Sequence, residues 1–130
     1  MAKLKILLVD DERDFLELMS LRIKGWGYEV FEALGGKEAL GLLKNKKPDM
    51  VILDYKMPGL DGVTTLKEIR KINVGLPVIM FTAYPDAKSI KGAEELKVNV
   101  YIPKMSEYSD GSSALKTAVR MIGKKLKRKE

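Results

Sequence analysis

The chain of 130 residues contains neither cysteine nor histidine. The lack of cysteine excludes disulfides, thiolate metal sites and thiol nucleophiles, and it suits a reducing cytoplasm, where we expect the protein to act. The lack of histidine excludes a Ser-His-Asp triad, a zinc site with imidazole ligands and a phosphohistidine carrier. Any chemistry must therefore depend on carboxylates, lysines, hydroxyls and backbone groups.

Long apolar runs and targeting features are also missing from the sequence. No run reaches the ~18 apolar residues that a membrane span requires. The first three residues lead directly into a strand-like run without a cleavage site. The sequence therefore predicts neither a membrane segment nor a signal peptide.

Positive charge is concentrated at the end of the chain. The formal net charge is +6, but the last seven residues hold five bases and one acid, and without them the charge falls to +2. The length suits one domain, since domains hold about 100–200 residues. We predict a domain over residues 1–123 and a basic C-terminal helix end over residues 124–130, and we do not expect this chain alone to bind DNA directly.

Five strand-like segments alternate with five helical patterns along the chain. The predicted strands are residues 4–9, 28–33, 50–53, 78–81 and 98–102. The fourth helix, between Asp86 and Leu96, has a thin apolar face, and Gly92 costs it about 1 kcal/mol relative to alanine. The fifth helix is expected to use Ser112 or Ser113 as its N-cap. Because the first, third and fourth strands are nearly all apolar, the pattern predicts a three-layer, doubly wound (βα)5 domain with a parallel sheet.

Polar side chains follow four of the five predicted strands. Asp10 and Asp11 follow the first strand, Asp54 the third, Thr82 the fourth, and Lys104 the fifth after Pro103. Ligands of this fold class bind beyond the carboxyl ends of the strands. We therefore expect three carboxylates, one hydroxyl and one ammonium group to converge at one edge of the sheet.

Each of these residues also has a purely structural interpretation. Asp10 or Asp11 could cap the first helix, Asp54 could belong to a turn, Thr82 could bond nearby backbone, and Lys104 could be a solvated loop lysine. The three carboxylates together, however, require a cation that balances their charge, because two carboxylates at 4 Å repel by about 4 kcal/mol at an effective dielectric constant of 20. Oxygen ligands with open water positions favour Mg²⁺ over Ca²⁺.

The set favours phosphoryl transfer to a carboxylate. Asp54 stands alone after the central strand, so it is the candidate nucleophile for an aspartyl phosphate. Asp10 and Asp11 would hold the metal. Lys104 and Thr82 would bind phosphate oxygens.

With these residues the chain resembles the receiver domains of two-component response regulators, including the single-domain chemotaxis type. The resemblance covers nearly the whole chain and depends on the motifs VDDE at residues 9–12, DYKMPGLDG at residues 54–62, Thr82-Ala83 and Lys104. It implies the flavodoxin-like strand order 2-1-3-4-5. It also implies that Asp61 is the N-cap of the third helix.

The resemblance further assigns roles to the site residues. Asp54 would accept a phosphoryl group from a histidine kinase. Thr82 and Lys104 would contact the phosphoryl group, and Thr82 and Tyr101 would form the switch. The ligands of Mg²⁺ would be Asp10, Asp11, Asp54 and the backbone carbonyl of Lys56.

The resemblance implies a signalling module rather than an enzyme in the usual sense, since it would catalyse only its own phosphorylation and slow autodephosphorylation. Its partners would be a sensor histidine kinase or phosphotransfer protein and a downstream protein target. That target would bind the surface around the fourth helix, fifth strand and fifth helix. The protein would be a monomer or a phosphorylation-dependent dimer.

Two departures from the family pattern leave an alternative open. Met105 follows Lys104 where the family usually has proline, and Lys97-Val98 replaces the usual Gly-Ala before the fifth strand. The chain could therefore be a degenerate receiver that acts as a scaffold without phosphorylation.

Two other classes fit the sequence less well. A hydrolase of the haloacid dehalogenase type would need an aspartate two residues after the nucleophile, where Lys56 stands. A flavodoxin would need a phosphate-binding loop after the first strand, where Asp10, Asp11 and Glu12 would repel phosphate.

Overall fold

The computed structural model describes residues 3–57, 59–83, 86–104 and 111–128. In these ranges five strands alternate with five helices. The elements are β1 (Lys5–Val9), α1 (Arg13–Gly25), β2 (Glu29–Ala33), α2 (Gly36–Lys46), β3 (Met50–Leu53), α3 (Gly62–Ile72), β4 (Val78–Thr82), α4 (Ala87–Glu95), β5 (Val100–Pro103) and α5 (Ser112–Arg128).

The strands form one parallel sheet in the order β2-β1-β3-β4-β5, which confirms the predicted fold class. At the end of β1, Val9 lies beside Ala33 of β2 and Leu53 of β3. At the other side of the sheet, Thr82 of β4 pairs with Pro103 of β5. This register brings the residues that follow β1, β3, β4 and β5 to one edge.

Both faces of the sheet are covered by apolar side chains. One layer joins alternate residues of the central strands, such as Ile6 and Ile52, to α1 and α5. The other layer joins Leu7 and Val51 to α2, α3 and α4. Burial on both faces explains why β1, β3 and β4 are nearly continuous apolar runs instead of alternating patterns. The edge strands β2 and β5 are only partly buried. Among the described residues, no helix has the length and apolarity that crossing a bilayer requires.

The fifth strand begins at Val100, two residues later than predicted. The N–H of Val98 instead donates to the carbonyl of Ala93 at 3.0 Å and so helps to close the end of α4. Lys97 has a positive φ of 57°, a conformation that interrupts extended backbone. The other strand boundaries differ from the prediction by one residue at most.

The prediction that Ser112 or Ser113 caps the last helix is wrong. The helix α5 begins at Ser112, and the carbonyl of Gly111 accepts the N–H of Leu115 at 3.0 Å. Gly111 has a φ of 80°, and a Cβ there would lie 2.6 Å from the carbonyl oxygen of Pro103. The backbone of Gly111 therefore starts the helix in tight contact with the end of β5, where a larger residue does not fit.

Arg70 of α3 ties the C-terminal end of α4 to the rest of the fold. Its Nε donates to the carbonyl of Leu96 at 2.8 Å, and its Nη2 donates to that of Lys97 at 3.1 Å. Its Nη1 donates to the carbonyl of Leu76, before β4, at 2.6 Å. One guanidinium group thereby satisfies carbonyls from two separate segments.

Candidate functional site

Asp10 and Asp54 extend the ladder between neighbouring strands by one residue each. The N–H of Asp10 donates to the carbonyl of Ala33, and the N–H of Asp54 donates to the carbonyl of Val9, both at 3.0 Å. The two residues are only 2% and 3% exposed. The regular backbone of the sheet thus fixes two buried carboxylates beside each other.

Asp11 completes an acidic cluster with these two residues. One carboxylate oxygen from each of Asp10, Asp11 and Asp54 lies within 4.8 Å of the other two. The alternative in which Asp10 or Asp11 caps α1 is wrong, because the N-cap is Glu12 and it makes no side-chain cap. Asp10 Oδ1 instead accepts the N–H of Glu12 at 2.9 Å, which orients the carboxylate at the edge of the sheet.

Lys104 brings a positive charge to the acidic cluster. Its ammonium group contacts the carboxylate of Asp10 and lies 3.3 Å from Asp54 Oδ2. Its backbone N–H donates to the carbonyl of Thr82 at 2.8 Å. Because Lys104 is only 4% exposed, the interpretation as a solvated loop lysine is wrong. Thr82 is fully buried at the end of β4, so the four strand ends meet as predicted.

The electrostatics of the cluster follow from its burial. Burial raises the pKa of Asp54, and the charge of Asp10 raises it further, although Lys104 and the hydroxyl of Thr82 act in the opposite direction. Burial alone would lower the pKa of Lys104, but its contacts with Asp10 and Asp54 outweigh burial and raise that pKa. The raised pKa of Lys104 favours its charged form, and this ammonium group lies beside the three carboxyl groups of the cluster.

The donor set of the cluster suits a hard cation. It offers carboxylate oxygens from Asp10, Asp11 and Asp54, and the chain has no thiol or imidazole to supply a softer ligand. Oxygen donors of this kind fit Mg²⁺. Lys56 lies in the loop between β3 and α3, two residues after Asp54, with its side chain exposed.

The start of α3 packs against the backbone of Asp54. The side chain of Asp61 accepts the N–H of Thr64 at 2.8 Å, as the resemblance implied for this N-cap. The N–H of Gly62 donates to the carbonyl of Tyr55 at 2.6 Å. A Cβ at Gly62 would lie 2.3 Å from the carbonyl oxygen of Asp54. Glycine therefore allows this helix to support the loop that carries Asp54.

Tyr101 connects β5 to the N-terminal end of α4. It is half-buried, and its hydroxyl lies 2.6 Å from Ser89 Oγ. Ser89 belongs to a capping box in which Asp86 accepts the N–H of Ser89 at 2.7 Å. The contact with Ser89 was not predicted, although the spacing of Asp86 and Ser89 is a recognisable capping signal.

Phe15 is a second residue that sequence reasoning missed. Its ring centroid lies 4.1 Å from the ammonium group of Lys104. The available signal was an aromatic residue four positions after Asp11, one helical turn from the acidic pair. Met105, the residue at which the sequence departs from the family pattern, lies outside the described residues.

Comparisons with known proteins find one family similar to this chain. The family model described as the response regulator receiver domain matches residues 6–116. The sporulation initiation phosphotransferase F of Bacillus subtilis is 34% identical over 112 residues, which cover 86% of this chain and 90% of that protein. A probable transcriptional regulator of Porphyridium aerugineum is 35% identical over 124 residues, covering 95% of this chain. The chain spans about half of that regulator, 51% of its length.

A solved structure shows a similar fold. The response regulator protein TrrA of Thermotoga maritima, solved in complex with Mg²⁺-BeF, has a TM-score of 0.75 and 32% sequence identity. The similarity covers 88% of this chain and 98% of that one.

Proposed function

The chain belongs to the family of response regulator receiver domains, and we propose that it acts as the receiver of a phosphorelay by accepting a phosphoryl group on Asp54. The observation that carries this proposal is the buried carboxylate of Asp54 beside Asp10 and Asp11, with the ammonium group of Lys104 at 3.3 Å. This arrangement pairs a nucleophile with a fixed positive charge.

The proposed step is the transfer of a phosphoryl group from a phosphorylated histidine of a sensor kinase or phosphotransfer protein. A bond forms between a carboxylate oxygen of Asp54 and phosphorus. The P–N bond breaks, and the imidazole leaves with its electron pair. Lys104 and the hydroxyl of Thr82 bind phosphoryl oxygens, which stabilises the charge that these oxygens carry in the transition state.

We propose Mg²⁺ as the cofactor, held by Asp10, Asp11, Asp54 and the backbone carbonyl of Lys56. The oxygen donor set supports this assignment, as does the Mg²⁺-BeF complex of the similar protein TrrA. When bound, Mg²⁺ supplies charge neutralisation for the phosphoryl oxygens. Asp10 and Asp11 add carboxylate oxygens beside that of Asp54, and such oxygens are the ligands that Mg²⁺ prefers.

The proposed output is a change at the surface formed by α4, β5 and α5, which a downstream protein would bind. Thr82 and Tyr101 form the switch. The hydroxyl contact between Tyr101 and Ser89 supports this role, because it connects β5 directly to α4. We propose a cytoplasmic signalling protein, monomeric or dimeric on phosphorylation, that catalyses only its own phosphorylation and dephosphorylation. The buried acidic cluster argues against a scaffold that works without phosphate.

The test is to incubate the protein with phosphoramidate and Mg²⁺ and to measure its intact mass. We expect a gain of one phosphoryl group in the wild type and none in Asp54→Ala. The control Asp14→Ala removes an exposed carboxylate of α1 and should still gain the group. A wild type that gains nothing, or an Asp54→Ala variant that still gains it, contradicts the proposal.

A further inference from the structure

The ammonium group of Lys104 has an aromatic neighbour as well as two acidic ones. It contacts the carboxylates of Asp10 and Asp54. It also lies 4.1 Å from the centroid of the Phe15 ring. A cation at this distance from a ring is attracted by the electron-rich face. The side chain of Lys104 is thus held by the residues that directly follow β1 and β3 and by a ring of α1.

The ring of Phe15 is itself held in place by the core. Phe15 lies in the first turn of α1, and its ring centroid is 6.0 Å from that of Phe81, with an angle of 38° between the planes. Phe81 is 2% exposed and directly precedes Thr82 on β4. The aromatic pair therefore links the helix after the acidic residues to the strand that carries Thr82.

The backbone around Lys104 makes this side-chain contact more important. Its N–H donates to the carbonyl of Thr82, which fixes the start of the loop. The next residue is Met105, so no pyrrolidine ring restricts φ at that position as proline would. Because Lys104 is almost fully buried, the groups that its ammonium contacts also help to direct its side chain.

We propose that Phe15 is a positioning residue for phosphorylation, which holds the ammonium group of Lys104 over the site where the phosphoryl group arrives. This inference rests on the proposed function of Asp54. An aromatic face suits the task because it attracts the cation without offering a carboxylate charge that competes with phosphate. As Asp54 takes the phosphoryl group, the ammonium group exchanges a carboxylate oxygen for a phosphoryl oxygen while its contact with the ring is kept.

The first test measures the rate of phosphorylation of the full chain by phosphoramidate with saturating Mg²⁺. Phe15→Leu removes the aromatic face and should lower the rate by about 3- to 30-fold, the range expected for loss of one cation–π contact. Phe15→Tyr keeps the face and should stay within about 2-fold of the wild type. Phe31→Leu removes a half-buried ring from the opposite layer and should leave the rate unchanged.

The second test separates positioning from general damage to the fold. In a Lys104→Met background, Phe15→Leu should lower the remaining rate no further, because the cation on which the ring acts is gone. If the double variant instead loses rate by the product of the two single reductions, the proposal is overturned. A Phe15→Leu variant as fast as the wild type, or a Phe15→Tyr variant as slow as Phe15→Leu, would also overturn it.

A measurement without phosphate keeps the two proposals apart. In NMR spectra of the lysine-labelled protein, the methylene protons beside the ammonium group of Lys104 should be shifted upfield by the ring. The shift should vanish in Phe15→Leu and remain in Phe15→Tyr. A missing shift in the wild type refutes the contact itself. A wild type with the shift that takes no phosphoryl group refutes the function of Asp54, and the positioning role with it.

Discussion

A residue of β3 and the residue that follows this strand show how differently burial can act in this molecule. Ile52, in the middle of β3, is 1% exposed, and Asp54, just beyond its end, is 3% exposed. Ile52 packs against apolar side chains of β1, β4 and two helices, whereas Asp54 faces two other carboxylates and one ammonium group. Apolar burial at the centre of the sheet stabilises the fold. The buried carboxylates at the carboxyl-end edge lower the free energy of unfolding, and the rest of the sheet offsets this effect.

The largest stability effect should come from the centre. Ile52→Ala should lower the free energy of unfolding by about 2–5 kcal/mol, because it leaves a cavity between two packed layers. Urea denaturation measures the change. The fraction of folded molecules phosphorylated by phosphoramidate should stay as in the wild type. A lost phosphorylation in molecules that remain folded would show that the core also shapes the site.

The next largest effect should come from a cation at the edge. Mg²⁺ at about 100 times its dissociation constant should raise the free energy of unfolding by about 2.7 kcal/mol, since it binds only the folded cluster. Thermal melting with and without Mg²⁺ measures this, and Asp11→Ala should abolish the increase. Asp14→Ala, on an exposed part of α1, should preserve it. A wild type whose melting temperature ignores Mg²⁺ would contradict the metal site.

A smaller effect on the melting temperature should come from the buried charge of Asp54. Because the pKa of Asp54 is raised in the folded protein, its protonated form favours folding at low pH. That contribution is lost as the pH rises through the folded-state pKa. With chelator and no metal, Asp54→Asn should therefore melt a few degrees above the wild type at neutral pH, and the difference should shrink on acidification. A variant that melts lower at neutral pH would mean that the pairing with Lys104 dominates.

The smallest effect should come from a buried hydroxyl outside the acidic cluster. Ser89→Ala removes one half of the capping box and the partner of the Tyr101 hydroxyl. The expected loss is about 1 kcal/mol in the free energy of unfolding, measured by urea denaturation. Ser113→Ala, at an exposed position of α5, is the control and should change it little. An equal loss in both variants would remove any special role of Ser89.

Prediction from sequence succeeded where one local rule determines the structure. Apolar runs identified β1, β3 and β4, because strands buried on both faces need apolar residues throughout. Aromatic and β-branched residues indicated β2. Asp10, Asp54, Thr82 and Lys104 could be placed at one edge, because parallel strands end on the same side. Their roles as phosphoacceptor, ligands and switch remain predictions.

The features that could not be predicted from the sequence depend on contacts between segments that are distant in the chain. Ser112 is a good N-cap by residue type, yet α5 already begins at Ser112, and the preceding Gly111 lies in close contact with the backbone of Pro103. The contact of Phe15 with Lys104 joins residues far apart in the chain. The bonds from Arg70 to the carbonyls of Leu96 and Leu76 follow no local pattern either. Such contacts appear only once the helices are placed on the sheet.

Arg70 also fixes one end of α4. Its guanidinium group holds the C-terminal end of the helix, whereas the N-terminal end is bonded to Tyr101 through Ser89. The C-terminal end of α4 is thus anchored to α3, and the N-terminal end is attached to Tyr101, which the switch is expected to displace. A small rotation of the Tyr101 ring would tilt α4 about its C-terminal end, so that the displacement is largest at the N-terminal end. A bound protein would then detect a change in the angle of α4 rather than a translation.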